Sequence, residues 1–260
     1  MAYKNITYSI NDRIAYITLN RPEKKNALNF ELVAELRNAF TEAEEDLQVK
    51  VIVLKANGNV FCAGADIESL QKLQKNTFEE NLEDSNHLKE LYKQIYLLRK
   101  IVIAQVNGHA IAGGCGLVSV CDFAYSVTEA TFGYSEVKIG FIPAIVMIFL
   151  IRKIGEARAK ELLISGQFIE AEEAVSYGLI NKTAEDQDQL EQLVTAFAKK
   201  LCEANSEYSM MMTKKMIAEV QNMNLDDALN YASKKNAEAR SSDDCKRGIS
   251  NFLEKKKFVW

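Results

Sequence analysis

The chain has 260 residues, enough for one large domain or a domain with an appendage, and enough to bury most of its apolar surface. Its 48% hydrophobic and 26% charged residues are ordinary for a globular protein, and its formal net charge of −4 gives no footprint for nucleic acid. No apolar run can span a membrane: Ile139 to Ile151 is too short and contains Pro143.

In chain order, Ile6 to Ile10 and Ile14 to Leu19 alternate apolar with polar around Asn11-Asp12, which predicts a β-hairpin. Asn20 to Leu28 is a charged loop. Leu32, Val33, Leu36, Ala39 and Phe40 recur at helical spacing and predict a helix over Phe30 to Asp46. Val51 to Leu54 reads as a buried strand. Asn57-Gly58 then turns the chain into Val60 to Ile67. There a short strand meets Ala63-Gly64-Ala65, and Asp66 starts a helix, where a carboxylate complements the dipole. Asn76 to Lys100 is a polar helix whose start has few apolar anchors.

Ile101 to Val106 is β-branched and apolar, a buried strand, and Asn107-Gly108 is a turn signal. Ala112-Gly113-Gly114-Cys115-Gly116 follows, with a buried helix beginning at about Leu117. Glycines admit close approach to the backbone, and the first N–H groups of a helix lack internal partners. Such a junction cradles a phosphate, or an oxygen that becomes anionic during reaction. With Ala63 to Ala65, the chain holds two small-residue junctions. Each is able to aim an N–H at one spot.

Asp122 to Val127 is another strand. Ala144 to Ile164 is helical with a break near Gly155, and Glu170 to Tyr177 is a short helix stopped by Gly178. Leu179 to Asn181 reads as extended. From Asp186 the pattern is helical, which divides the chain into residues 1–185 and a helical subdomain at 186–260. Alternating strands and helices predict an α/β fold with crossover helices. Met1 to Asn5 lacks signal-peptide character. Cys62, Cys115, Cys121, Cys202 and Cys245 form an odd set without metal spacing, read as reduced thiols of a cytoplasmic protein. His87 and His109 are too few for a histidine metal site or a Ser-His-Asp triad.

Five motifs stand in order: Asn20-Arg21-Pro22 with Asn26-Ala27-Leu28, Phe61 to Asp66, Asn107 to Cys115, Cys121-Asp122, and Phe132-Gly133-Tyr134-Ser135-Glu136. Together they resemble the enoyl-CoA hydratase/isomerase family, the crotonases, over nearly the whole chain. The resemblance implies a ClpP/crotonase-like fold of repeated ββα units. It also implies a helical C-terminus that makes a trimer or a dimer of trimers, an acyl-CoA thioester as substrate, and no cofactor beyond the coenzyme A the substrate carries. By the same resemblance, the N–H groups of Ala65 and Gly113 would form an oxyanion hole. Ala27, Ala63, Asp66 and Ile67 would border coenzyme A. Lys24, Lys25 and Lys255 would meet its phosphates, with Phe252 beside the nucleotide.

Hydratases of this family resemble one another in using two glutamates. Glu136 matches the one that moves a proton at the α-carbon. The position of the other holds Gly116. Tyr134 and Ser135 flank Glu136 and His109 precedes the glycines, as accessory candidates. One carboxylate suffices for hydration with water held otherwise, or for carrying a proton between carbons in an isomerase. Decarboxylation of an acyl-CoA, or a non-catalytic CoA-binding role, also remains open. The run Gly140 to Val146 looks like the methylglutaconyl-CoA hydratase-like branch of leucine breakdown, where glycine at this position is not unusual. That favours hydration.

Overall fold

The computed structural model describes residues 3–256 and 258–260. Strands β1 (Ile6–Asn11) and β2 (Ile14–Leu19) form the expected hairpin, and helix α1 (Phe30–Glu45) follows the loop. The Asn29 side chain accepts from the Leu32 N–H to start α1, which buries Leu32, Val33, Leu36, Ala39, Phe40 and Ala43 along one face. Next come β3 (Val51–Ala56), β4 (Val60–Cys62), α2 (Ile67–Leu73) and α3 (Phe78–Leu97). A Thr77–Glu80 capping box starts α3 two residues later than the sequence pattern suggests.

β5 (Ile101–Val106), β6 (His109–Ile111) and α4 (Gly113–Val120) carry the glycine stretch. Here the structure corrects the expectation. A short strand precedes the glycines, and they form the first turn of the helix instead of a loop before it. β7 (Phe123–Val127), β8 (Thr131–Gly133), a 3₁₀ turn at Glu136–Ile139, α5 (Ala144–Ile154) and α6 (Glu156–Ser165) follow, with the break at Gly155 (φ 79°). β9 (Phe168–Glu170), α7 (Ala171–Tyr177) and β10 (Lys182–Ala184) complete the mixed part. The last strand lies just beyond the predicted Leu179 to Asn181, because the Asn181 N–H and side chain are both taken by Ala124. Helices α8 (Gln187–Ala204), α9 (Glu207–Val220), α10 (Leu225–Arg240) and α11 (Asp243–Leu253) end the chain.

The strands form two sheets. The larger runs β1-β2-β3-β5-β7-β10, parallel from β2 onward, and the smaller runs β4-β6-β8-β9. Strand pairs β3β4, β5β6 and β7β8 each send one strand to each sheet before a helix, which is the repeated ββα unit. β5 is buried along its whole length because both faces of the large sheet are covered, as its unbroken apolar run requires. α8 packs on β2, β3, β5, β7 and β10, so the all-helical stretch begins inside the core. No helix is long and apolar enough to cross a membrane among the described residues.

Candidate active site

The first junction is built on a loop tied at both ends. Asn26, fully buried with φ 53°, donates from its amide to the Asn57 and Val60 carbonyls and accepts from the Arg21 N–H. Arg21 reaches the Ala27 carbonyl at 2.6 Å and the Asp66 carboxylate at 2.9 Å. This loop then pairs with the segment after β4: the Ala63 N–H donates to Lys25, the Leu28 N–H to Gly64, and the Asp66 N–H to Leu28. In that one-rung parallel bridge the Ala65 N–H points away from Leu28. Among the described residues it has no acceptor, and Ala65 is exposed.

The second junction packs against the first. A Cβ on Gly64 would lie 2.8 Å from the Ala112 Cβ and 3.6 Å from the Gly113 nitrogen, and one on Gly114 only 2.2 Å from the Cys62 carbonyl oxygen. The glycines at 64 and 114 are therefore required by contact between the two backbones. Ala112 adopts φ 51° and ψ −120°, the first central position of a type II′ turn, which favours glycine. Holding alanine there costs about 1–3 kcal/mol. The conformation turns the chain from β6 into α4, so the Gly113 N–H stands at the positive end of that helix. Gly113 is half-buried, and its N–H also lacks an acceptor among the described residues.

Glu136 arrives through β8, whose Gly133 carbonyl accepts from the Ala112 N–H at 2.8 Å. Its Oε2 is buried without a hydrogen-bond partner among the described residues. Burial pushes this carboxyl above the ordinary glutamate value, and its own N–H only partly offsets that. The Ala112–Gly133 hydrogen bond sets the chain that leads to Glu136 alongside the start of α4. An unpartnered carboxylate of raised pKa is suited to taking a proton from carbon, and free main-chain amides are suited to holding the carbonyl oxygen of such a carbon.

Gly116 is not open space. A Cβ there would lie 2.5 Å from Val146 Cγ1 and 3.0 Å from the Tyr92 hydroxyl. Tyr92, from α3, donates to the Gly113 carbonyl at 2.8 Å and is wholly buried. Sequence alone does not distinguish it, because Leu91, Tyr92 and Ile95 form the apolar face of an amphipathic helix.

The accessory candidates separate. Tyr134 is fully buried, with no hydrogen-bond partner for its hydroxyl among the described residues, so it belongs to the core and does not line an open surface. Ser135 is half-buried, and its carbonyl accepts from the Lys138 N–H. His109 is exposed and pairs through Nδ1 with the Thr131 hydroxyl at 2.9 Å.

Of the coenzyme A candidates, Lys24 pairs with Glu68 on the surface, while Lys25 is exposed in a left-handed conformation. Ala27 is buried and Ile67 is exposed. Asp66 has little freedom to meet a ligand: one oxygen caps α2 through the Glu68 N–H and the other holds Arg21. Lys255 is exposed, also left-handed. Phe252 is 81% exposed, beside a groove with Gly248, Phe258 and Trp260. Its neighbours within one chain are thus C-terminal residues.

A family model described as Enoyl-CoA hydratase/isomerase matches residues 9–260. The short-chain-enoyl-CoA hydratase of Clostridium acetobutylicum is 32% identical over 259 residues, covering 99% of this chain and 97% of the relative. The crotonyl-CoA hydratase of Syntrophomonas wolfei is 31% identical over 259 residues, covering 99% and 98%. The crystal structure of an enoyl-CoA hydratase from Mycobacterium smegmatis matches with a TM-score of 0.93 at 29% identity, covering 99% of each chain.

Proposed function

The chain belongs to the enoyl-CoA hydratase/isomerase family and has the crotonase fold, and on that premise we propose that it adds water across the double bond of a short-chain 2-enoyl-CoA. The observation that supports this reading is the contact between the two junctions, with free amides at Ala65 and Gly113, together with an unpartnered, buried Glu136 Oε2 on the chain that follows the Gly133 bonded to Ala112. The thioester oxygen accepts from both amides. Water oxygen bonds to C3, the double-bond electrons move onto the thioester as an enolate, and the water proton passes to Glu136. Glu136 then returns a proton to C2. Each amide contributes about 3–4 kcal/mol to lowering the barrier.

A second reading rests on Gly116. Tyr92 and Val146 fill the space where the family's other glutamate would stand, which favours chemistry needing one carboxylate. In that case Glu136 takes a proton from C2 of a 3-enoyl-CoA and delivers one to C4. Absorbance of purified protein with thioesters separates the two. Loss of the conjugated band of crotonyl-CoA supports hydration, and its appearance from a 3-enoyl-CoA supports isomerisation. No change with either, or with 3-methylglutaconyl-CoA, sinks both.

We further propose assembly as a trimer or a pair of trimers in the cytoplasm. Ile139, Ile142, Leu225, Phe252 and Leu253 are each at least 69% exposed in one chain, and an interface between subunits would cover such side chains. Assembly would also be the way for Phe252 and Lys255 to reach a neighbour's coenzyme A. Sedimentation showing monomers would remove that role from both residues.

A further inference from the structure

Ala112 is strained, and a strained residue persists only where its surroundings fix it. Three hydrogen bonds do so: the Ala112 N–H to Gly133 at 2.8 Å, the Gly116 N–H to Ala112 at 2.9 Å, and the Tyr92 hydroxyl to the Gly113 carbonyl at 2.8 Å. The first two are main-chain bonds of the adjoining strand and helix. The third comes from a side chain on α3, far away in sequence, and grips the peptide that follows the strained one. The Tyr92 oxygen also lies 3.0 Å from where a Cβ would stand on either Gly113 or Gly116. It therefore faces the side of α4 from which the family's second carboxylate would project.

We infer that Tyr92 is a positioning residue for enolate chemistry at this site. Its hydroxyl holds the Gly113–Gly114 peptide while the Gly116 N–H holds the Ala112 carbonyl, so rotation about Gly113 is limited and the Ala112–Gly113 peptide, which carries the Gly113 N–H, stays turned toward the thioester oxygen. This rests on the reading of Ala65 and Gly113 as the oxygen's donors. The role needs a hydroxyl that stays protonated. Burial, with a smaller contribution from the Glu136 charge, pushes its ionisation well above the ordinary tyrosine value, so it remains a donor throughout the neutral range.

The test is Tyr92→Phe, which keeps the ring and removes only the hydroxyl. Three readouts are taken: kcat and KM with crotonyl-CoA, binding of butyryl-CoA, and the near-ultraviolet enolate band of bound acetoacetyl-CoA as a function of pH. A lost positioning bond predicts kcat down about 5- to 10-fold, the scale of one hydrogen bond, with KM and butyryl-CoA binding unchanged. It also predicts that the enolate band of the variant appears only at higher pH. An unchanged kcat and enolate band overturn the proposal. So does parallel loss of kcat, butyryl-CoA binding and melting temperature, which marks a packing role. The enolate measurement needs no turnover. A wild-type band that weakens in the variant supports Tyr92 even where crotonyl-CoA is not hydrated, and absence of the band in wild type overturns it.

Discussion

Arg21 and Asp66 meet at 2.9 Å with side chains only 12% and 6% exposed, so a buried ion pair fastens the loop before α1 to the residue next to Ala65. Breaking such a pair from one side leaves a charge without its partner. Arg21→Met is expected to lower stability by about 3–5 kcal/mol, measured by urea denaturation. Burial alone would raise the Asp66 carboxyl, but the Arg21 hydrogen bond and the Glu68 N–H outweigh it and hold it below the ordinary aspartate value. Its folded value thus lies below its unfolded one. The contribution is present above about pH 4 and fades as pH falls through the lower folded value. The stability gap between wild type and Asp66→Asn should close on that acid limb; a gap constant down to pH 2 would contradict the pairing.

Glu136 carries the opposite sign. Burial raises its folded value, so ionising it at neutral pH works against folding, and that penalty disappears below its unfolded value. Glu136→Gln is expected to be more stable than wild type at pH 7 and equal to it near pH 4. It should also lose about 10²–10⁴ in kcat while binding butyryl-CoA normally. Paired melting and rate measurements check both, and undiminished turnover would remove Glu136 from the chemistry.

Alanine at Gly116 should gain helix propensity worth up to about 1 kcal/mol, yet its Cβ would stand 2.5 Å from Val146 Cγ1. Overpacking wins, and Gly116→Ala is expected to lose about 1–3 kcal/mol net. Restoring a second carboxylate by Gly116→Glu alone should unfold or distort the site. Combined with Val146→Ala, which clears the nearest atom, it is expected to recover stability and raise hydration of crotonyl-CoA. Melting curves of the single and double variants decide this.

Lys214 on α9 is 9% exposed and donates to the Ile95 and Lys100 carbonyls and to Asp122 at 2.8 Å. It pins the C-terminal helices to the end of α3 and the start of β7. Lys214→Met should lower stability by about 2–4 kcal/mol, with the change read from the urea midpoint.

Hydrophobic periodicity made most of the fold legible, because β5 is buried on both faces and α1 on one, and each burial pattern has its own repeat. The two glycine junctions and Glu136 were legible as well, since close backbone contact and a motif-borne carboxylate leave marks in local sequence. What stayed hidden depends on chain segments far apart. The Arg21–Asp66 pair joins residues 45 positions apart, and Tyr92 looks like core until its hydroxyl is seen on Gly113. The strand at Lys182–Ala184 is short and polar at its start, and only its pairing with Tyr125 to Val127 defines it.

The groups at positions 65 and 113 that face outward unpaired are main-chain amides, and a main-chain amide has no side chain to mutate away. Substituting the side chains around them, Glu136 included, therefore leaves both N–H groups in place, and only proline or a changed backbone course removes them.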